Sequence, residues 1–232
     1  YEELAQMMNA YENKMFMGRE VIAERGVWTA KKRYALNVWD SEGVRYEEPK
    51  LKIMGIETTR SSTPAIVREK LKNAIRMILT KEEKDIQEYV AEFRDEFFSC
   101  EPEEIAFPRS VSNLEKWESS SEIYISATPI AVKGSLIYNY YIKKLKLEEK
   151  YEKIQQGDKI KFIYLKEPNP ISGTKGDKVI SFPASIPKEL DIHRFVDYNM
   201  QFTKSFLDPL ETILNVVGWK SKEEATLEGL FV

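Results

Sequence analysis

The chain has 232 residues, 42% of them apolar, and a formal net charge of −3, enough apolar content for the core of one large domain or two small ones. A single cysteine, Cys100, excludes an internal disulfide framework, and a single histidine, His193, leaves no partners for a His-based metal site or a Ser/His/Asp triad. No run approaches the roughly 20 apolar residues a membrane span needs, and the opening YEELAQMMNAYENK is too acidic and polar for a secretory signal, so a soluble chain that stays in the cytoplasm is expected.

Leu4, Met8, Tyr11 and Met15 share one face at helical spacing, which predicts a packing helix. A start at Tyr1 rather than Met is what a segment of a longer chain would show. Arg19 to Ile22 reads as a short strand, and Arg25-Gly26-Val27-Trp28 leads onward. Tyr34, Leu36 and Val38 alternate on one side of Ser41-Glu42-Gly43, and Val44 and Tyr46 on the other, the pattern of a hairpin with a short Gly-containing turn. A third run, Leu51, Ile53, Gly55 and Glu57, is expected to pair beside them. Lys31, Lys32 and Arg33 open the first hairpin strand; alternation sends Lys31 and Arg33 to one face and Lys32 and Tyr34 to the other, so that end carries charge on both faces. From charge and spacing alone, such a run is more often a solvated edge than a binding site.

Ser62-Thr63-Pro64 predicts a helix start, with a hydroxyl cap and a proline pre-set for the first turn. Val67, Leu71, Ala74, Ile75 and Ile78 form its stripe. Thr80 and Glu83 read as the capping box of a second helix, carried by Ile86, Tyr89, Val90, Phe93 and Phe97. Residues 99–121, with Pro102, Pro108 and Ser119-Ser120-Ser121, read as loop and carry no legible function. Runs at 122–126, 135–142, 159–165 and 178–182 predict a small strand-rich unit. Phe195, Phe202, Phe206, Leu210, Ile213, Leu214 and Val217 then describe helical packing, interrupted near Asp208-Pro209 and closed by Gly218. In the tail, Ser221 and Glu224 make a capping box, and Leu227, Leu230 and Phe231 stand at i, i+3 and i+4. The fold class is α+β.

A net charge of −3 is unusual for a nucleic-acid binder, but the charge is unevenly spread. Residues 128–162 hold eight lysines against four acids, whereas residues 80–104 hold three basic residues against ten acids, which predicts a basic face and an acidic back.

The strings KKRYALNVWD and PKLKIMGIETTRSSTP closely resemble the C-terminal part of the replicative family B DNA polymerases of T-even-type bacteriophages. The resemblance runs the length of the chain and weakens between Ser99 and Ser126. It implies that residues 1–60 are the C-terminal part of a palm, a sheet remnant holding the Lys-Lys-Arg-Tyr hairpin. Residues 61–220 would be a mainly helical thumb with a small strand-rich unit, and residues 221–232 a clamp-binding tail. It further implies that Lys31, Lys32, Arg33 and Tyr34 grip the primer terminus from the minor-groove side. Arg60 stands where close relatives carry a lysine used in the same groove. Lys133, Lys178 and Lys204 fall on basic positions of the thumb, whereas Asp208 replaces a basic residue. Some relatives carry a longer glycine-rich excursion near Arg25–Trp28 that this chain lacks. T-even-type polymerases end in a Ser/Thr-Leu-x-x-Leu/Met-Phe string that enters a hydrophobic pocket of the sliding clamp, which assigns that contact to Leu227, Leu230 and Phe231.

Nucleotidyl transfer by two metal ions needs carboxylates fixed around both. The family's Asp-x-x-Ser-Leu-Tyr-Pro-Ser and Asp-Thr-Asp motifs do not occur in this chain, nor do its fingers lysine motif and exonuclease carboxylates. No catalytic or metal-binding residue is therefore expected, nor any cofactor; Mg²⁺ belongs to the whole polymerase. The acidic pairs Glu47-Glu48 and Glu103-Glu104 read as solvent-facing. The partners implied are primer–template DNA, a sliding clamp and the remainder of the polymerase, in the cytoplasm of an infected bacterium and with no membrane. Two other readings stay open: a free-standing DNA- or clamp-binding accessory protein or second chain of a split polymerase, and an RNA-binding module stacking bases on Tyr138, Tyr140 and Tyr141, for which no RNP-like string speaks.

Overall fold

In the computed structural model, which describes residues 18–119, 122–172 and 178–223 together with Glu3 and Met7, residues 1–56 and 57–232 pack as separate units. The expected opening helix, with Leu4, Met8, Tyr11 and Met15, and the tail anchors Leu227, Leu230 and Phe231 lie outside the described residues.

The first unit is a three-stranded antiparallel sheet in the order β1 (Val21–Ala30), β2 (Arg33–Ser41), β3 (Val44–Met54). The hairpin turn falls at Glu42-Gly43, where φ is +52° and +87°, the left-handed pair that matches the strand twist, and Gly43 N donates to Asp40 Oδ1 at 3.1 Å. Two strand expectations change. The run from Leu51 is the second half of β3 rather than a separate strand, because β3 is an edge strand and tolerates Pro49. The third strand is β1, which reaches Ala30 instead of stopping at Ile22. Its alternation is broken by bulges on either side of Ala23. The bulge makes room for the Glu24 carboxylate, which accepts from Asn37 Nδ2 at 2.6 Å and Trp39 Nε1 at 2.8 Å.

The second unit begins with a 3₁₀ turn, Glu57–Thr59, and then α1 (Ala65–Thr80) and α2 (Glu83–Ser99). Their stripes are buried as the spacing requires, Val67, Leu71, Ala74, Ile75 and Ile78 on one helix and Ile86, Val90, Phe93 and Phe97 on the other. The caps differ from expectation. Pro64 itself is the N-cap residue of α1, with no side-chain cap. The capping box of α2 is Glu82 with Asp85, whereas the Thr80 hydroxyl donates back to Arg76 O at 2.8 Å.

Residues 99–121 contain more structure than expected: α3 (Pro102–Ile105), β4 (Phe107–Ser110) and α4 (Leu114–Trp117). β4 pairs antiparallel with β5 (Lys159–Tyr164), which pairs with β6 (Val179–Phe182). Pro108 is admissible because β4 is an edge. The strand expected at 135–142 is instead the interior of α5 (Ile130–Lys144), which opens after Pro129 and ends on Lys143 and Lys144, the charge sign its C-terminus favours. The segment 122–126 contributes only a bridge, Glu118 to Tyr124. Gly134 lets α5 lie directly on β6: a Cβ there would stand 2.5 Å from Ser181 Oγ and 2.8 Å from Ser181 N. The Ser181 hydroxyl donates to Ala131 O at 2.9 Å, fastening the same contact.

The last helical stretch is continuous where an interruption was expected. α6 (Tyr198–Phe202) passes through a π turn, Thr203–Leu207, into α7 (Asp208–Val217). Pro209 lies in the first turn of α7, and the wider π turn just before it spares its ring the clash with the preceding turn's carbonyl. Gly218, at φ +75°, ends the helix. Phe93, Phe97, Phe202 and Phe206 join α2 to this helix, with ring centroids between 4.7 and 5.8 Å apart. Fully buried Gln201 ties α6 to two neighbours, donating to Ile105 O at 2.6 Å and accepting from Tyr164 N at 3.3 Å. Among the described residues no helix is long and apolar enough to cross a membrane.

Candidate nucleic-acid interface

In the first unit, Ala30 pairs with Arg33, so Lys31 and Lys32 are the two residues of the β1–β2 turn and not the start of a strand. Their presentation is therefore set by a hairpin tip and not by alternation. Both are exposed, Lys32 takes a left-handed φ of +63°, and among the described residues neither enters an ion pair. Arg33 and Tyr34 follow as the half-buried beginning of β2, with the Tyr34 ring 6.5 Å from exposed Trp28. The tip is propped from β3. Tyr34 pairs with Met54, and Gly55, next in the chain and at φ +66°, comes so close that a Cβ would stand 2.4 Å from Lys32 O. Only glycine meets both demands, the backbone sign and the space.

In the second unit the expected contact residues occupy different settings. Arg60 is exposed and pairs with Glu57 at 3.3 Å. Lys133, in the first turn of α5, places its ammonium 4.7 Å over the Tyr124 ring. Lys178 pairs with Glu167 at 2.7 Å and Lys204 with Asp208 at 2.9 Å. The hydrogen bond to Asp208 pushes the Lys204 pKa up, so this ammonium stays charged at any physiological pH. Asp208 thus does more than lack the expected charge; it engages a neighbouring expected cation.

One end of the second sheet gathers two of these lysines. Leu165 N donates to Lys178 O at 2.8 Å. At Tyr164, the last residue of β5, burial raises the pKa against the opposing pull of Lys204 and Arg109. Lys133 reaches the sheet separately, through the seat of Gly134 on Ser181. Arg109 was not legible in the sequence. Arg109 is exposed, and its guanidinium lies 5.8 Å from the Phe107 and Phe162 rings and donates to Ser62 O at 2.6 Å and Pro108 O at 2.9 Å. A lone arginine in a proline-bearing stretch gave no signal for it.

The tyrosines considered for base stacking do not form a platform. Being helical, Tyr138 turns inward, is 1% exposed and donates to Glu152 O at 3.3 Å, and burial pushes its pKa up to about 12. Tyr140 is exposed and packs edge-on against Tyr141, with the Lys144 ammonium near both rings. Of the acidic pair Glu103-Glu104, Glu103 is half-buried and accepts from Ile186 N at 3.0 Å. Among the described residues no three His, Cys, Asp or Glu side chains converge as a metal site.

The family model for DNA polymerase family B matches residues 2–216. The chain belongs to that family. It is 37% identical over 243 residues to the DNA-directed DNA polymerase of Enterobacteria phage T4 and 36% identical over 244 residues to that of Escherichia phage RB69. Each alignment covers 100% of this chain and 26% of the relative, so the family B chain described here spans about a quarter of the length of the curated relatives it matches.

Proposed function

We propose that the chain is the C-terminal, DNA-gripping part of a bacteriophage DNA-directed DNA polymerase, acting in the cytoplasm of an infected bacterium. Residues 1–60 are the end of the palm, residues 61–220 the thumb and residues 221–232 the clamp-binding tail. The observation that carries this reading is the alignment of the entire chain with a quarter of two phage polymerases. The exposed Lys31-Lys32 tip supports it. An ammonium entering the minor groove can donate to the N3 and O2 acceptors that every base pair offers, so it checks shape and ignores sequence. Arg33, Tyr34 and Arg60 extend that contact, while Lys133, Lys178 and Lys204 meet phosphates, which position the duplex without reading it. Catalytic carboxylates and their Mg²⁺ lie in the remainder of the polymerase. The purified chain is therefore expected to bind two primer–templates of unrelated sequence with equal affinity and to extend neither in the presence of Mg²⁺. Nucleotide incorporation abolished by substitutions within this chain would place catalysis here and overturn the reading.

The tail supplies the tether. In the sequence Leu227, Leu230 and Phe231 stand at i, i+3 and i+4, and helix-in-groove docking of so few residues is weak alone but effective when linked to a second grip. Deleting residues 227–232 is expected to leave DNA affinity intact, to change melting temperature only slightly and to abolish binding to the cognate clamp in calorimetry. Phe231→Ala should account for most of the loss, about 2 kcal/mol for a buried aromatic anchor, or roughly 30-fold in affinity. Unchanged clamp affinity in the truncated chain removes the tail from this role.

A further inference from the structure

The chain beyond α7 is pinned. Lys220 N donates to Glu83 Oε1 at 2.6 Å, Gln87 Nε2 donates to Lys220 O at 3.3 Å, and the buried Ser221 hydroxyl donates to Glu211 Oε1 at 3.0 Å. Residues 221–223 consequently leave the thumb at a fixed place, and there they form part of the wall of a groove of about 510 Å³ between α2 and the α6–α7 helix. Val90 and Ala91 line it from α2, and Phe202 and Leu207 from the π-turn side. Ala91 is exposed and Leu207 half-buried, so apolar surface there is uncovered. A volume of this size lies within the range of about 300–1,000 Å³ typical of ligand-binding clefts.

Nine residues follow Glu223, with apolar anchors at Leu227, Leu230 and Phe231. Fully extended, the four residues to Leu227 reach roughly 13 Å and the eight to Phe231 roughly 27 Å. All three anchors are therefore in reach of a groove whose wall is the segment from which they start. We propose that this groove is the intramolecular seat of residues 224–232, with Leu227, Leu230 and Phe231 against the uncovered side chains of Ala91 and Leu207, over a floor formed by buried Val90 and Phe202. Arg94, held to Asn199 Oδ1 at 3.1 Å, and Lys222 offer the rim positive charge for Glu224 and Glu228, while Glu88, Asp95 and Glu223 on the same lining oppose them. The opposition keeps the seat weak. A short tether supplies an effective concentration on the order of 1 mM, so even a millimolar contact is about half occupied. The seat does not depend on what the tail binds elsewhere.

Methyl NMR of the whole chain and of a chain ending at Glu223 tests the proposal. The Val90, Ala91 and Leu207 methyl resonances are expected to differ between the two. A peptide of residues 224–232 added to the truncated chain at about 1 mM should return them about halfway, and the Phe231→Ala peptide should return them less. Ala91→Arg, at an exposed helical position, should abolish the peptide response without altering the melting temperature. Identical methyl positions in the two chains overturn the proposal, as do peptide shifts confined to another surface. Differences that grow with protein concentration assign the groove to the tail of a second copy and overturn the intramolecular seat.

Discussion

Replacing Lys133, Lys178 and Lys204 together by alanine is expected to make the salt dependence of primer–template binding shallower by about 2.7 in log–log slope, 0.9 for each phosphate contact. Between 50 and 200 mM salt that difference compounds to roughly 40-fold in relative affinity, well outside measurement error. The folded state should barely respond. Lys178 and Lys204 are exposed, their ion pairs with Glu167 and Asp208 are surface pairs, and the carboxylates left behind remain in water. Lys32→Ala makes the contrast, since a lysine that reaches base edges should weaken binding with less change in slope. Titrations by fluorescence anisotropy at four salt concentrations decide it. Equal slopes for the wild type and the triple variant would remove the thumb lysines from the interface.

Gly55→Ala should disable the hairpin tip through the backbone alone. The new Cβ would stand 2.4 Å from Lys32 O, a main-chain atom that cannot swing aside, at a φ of +66° that already disfavours a side chain. Left-handed strain costs about 1–2 kcal/mol, and overpacking against fixed atoms adds about 1–3 kcal/mol. The Lys31-Lys32 turn must move or the sheet must loosen. Gly43→Ala isolates the first cost, because Gly43 sits at φ +87° with nothing within 4 Å of its would-be Cβ. Urea unfolding followed by tryptophan fluorescence, with Trp28 and Trp39 in this sheet, is expected to show Gly43→Ala mildly destabilised and binding DNA normally. Gly55→Ala is expected to lose more stability and roughly tenfold or more in DNA affinity, the equivalent of about 1.4 kcal/mol. Indistinguishable behaviour of the two variants would mean that the prop under the tip does not matter.

The parts of the fold that were legible are those where one signal dominates. The stripes of α1 and α2 set their burial, and the Glu42-Gly43 turn set its hairpin. What was misread are places where tertiary contacts outweigh local preference. The tyrosine- and isoleucine-rich run 135–142 has strand propensity, but it becomes α5 because Gly134 allows a helix to lie flush on β6. β1 hid behind a bulge, beside which Glu24 accepts from Asn37 and Trp39. β4 hid behind Pro108. At the candidate interface the residue types were legible, but not their setting. Alternation assigned Lys31 and Lys32 to opposite faces of a strand, and no periodicity could have announced a two-residue turn there. The carboxylate partners of Lys178 and Lys204 differ in legibility: Asp208 is one helical turn from Lys204, whereas Glu167 meets Lys178 only through the pairing of β5 with β6.

Those two carboxylates bear on motion. A polymerase advances one base pair at a time, so a hand that never opens is as useless as one that never closes. Glu167 and Asp208 already stand within hydrogen-bonding distance of Lys178 and Lys204. Under the grip reading, each ammonium that lets go of a phosphate falls back on a waiting anion instead of bare solvent, and exposed pairs of this kind are worth too little to trap it there. Release and recapture then run on nearly level ground. On that same reading the thumb slips along the duplex, and staying on the template over long distances falls to the proposed tether.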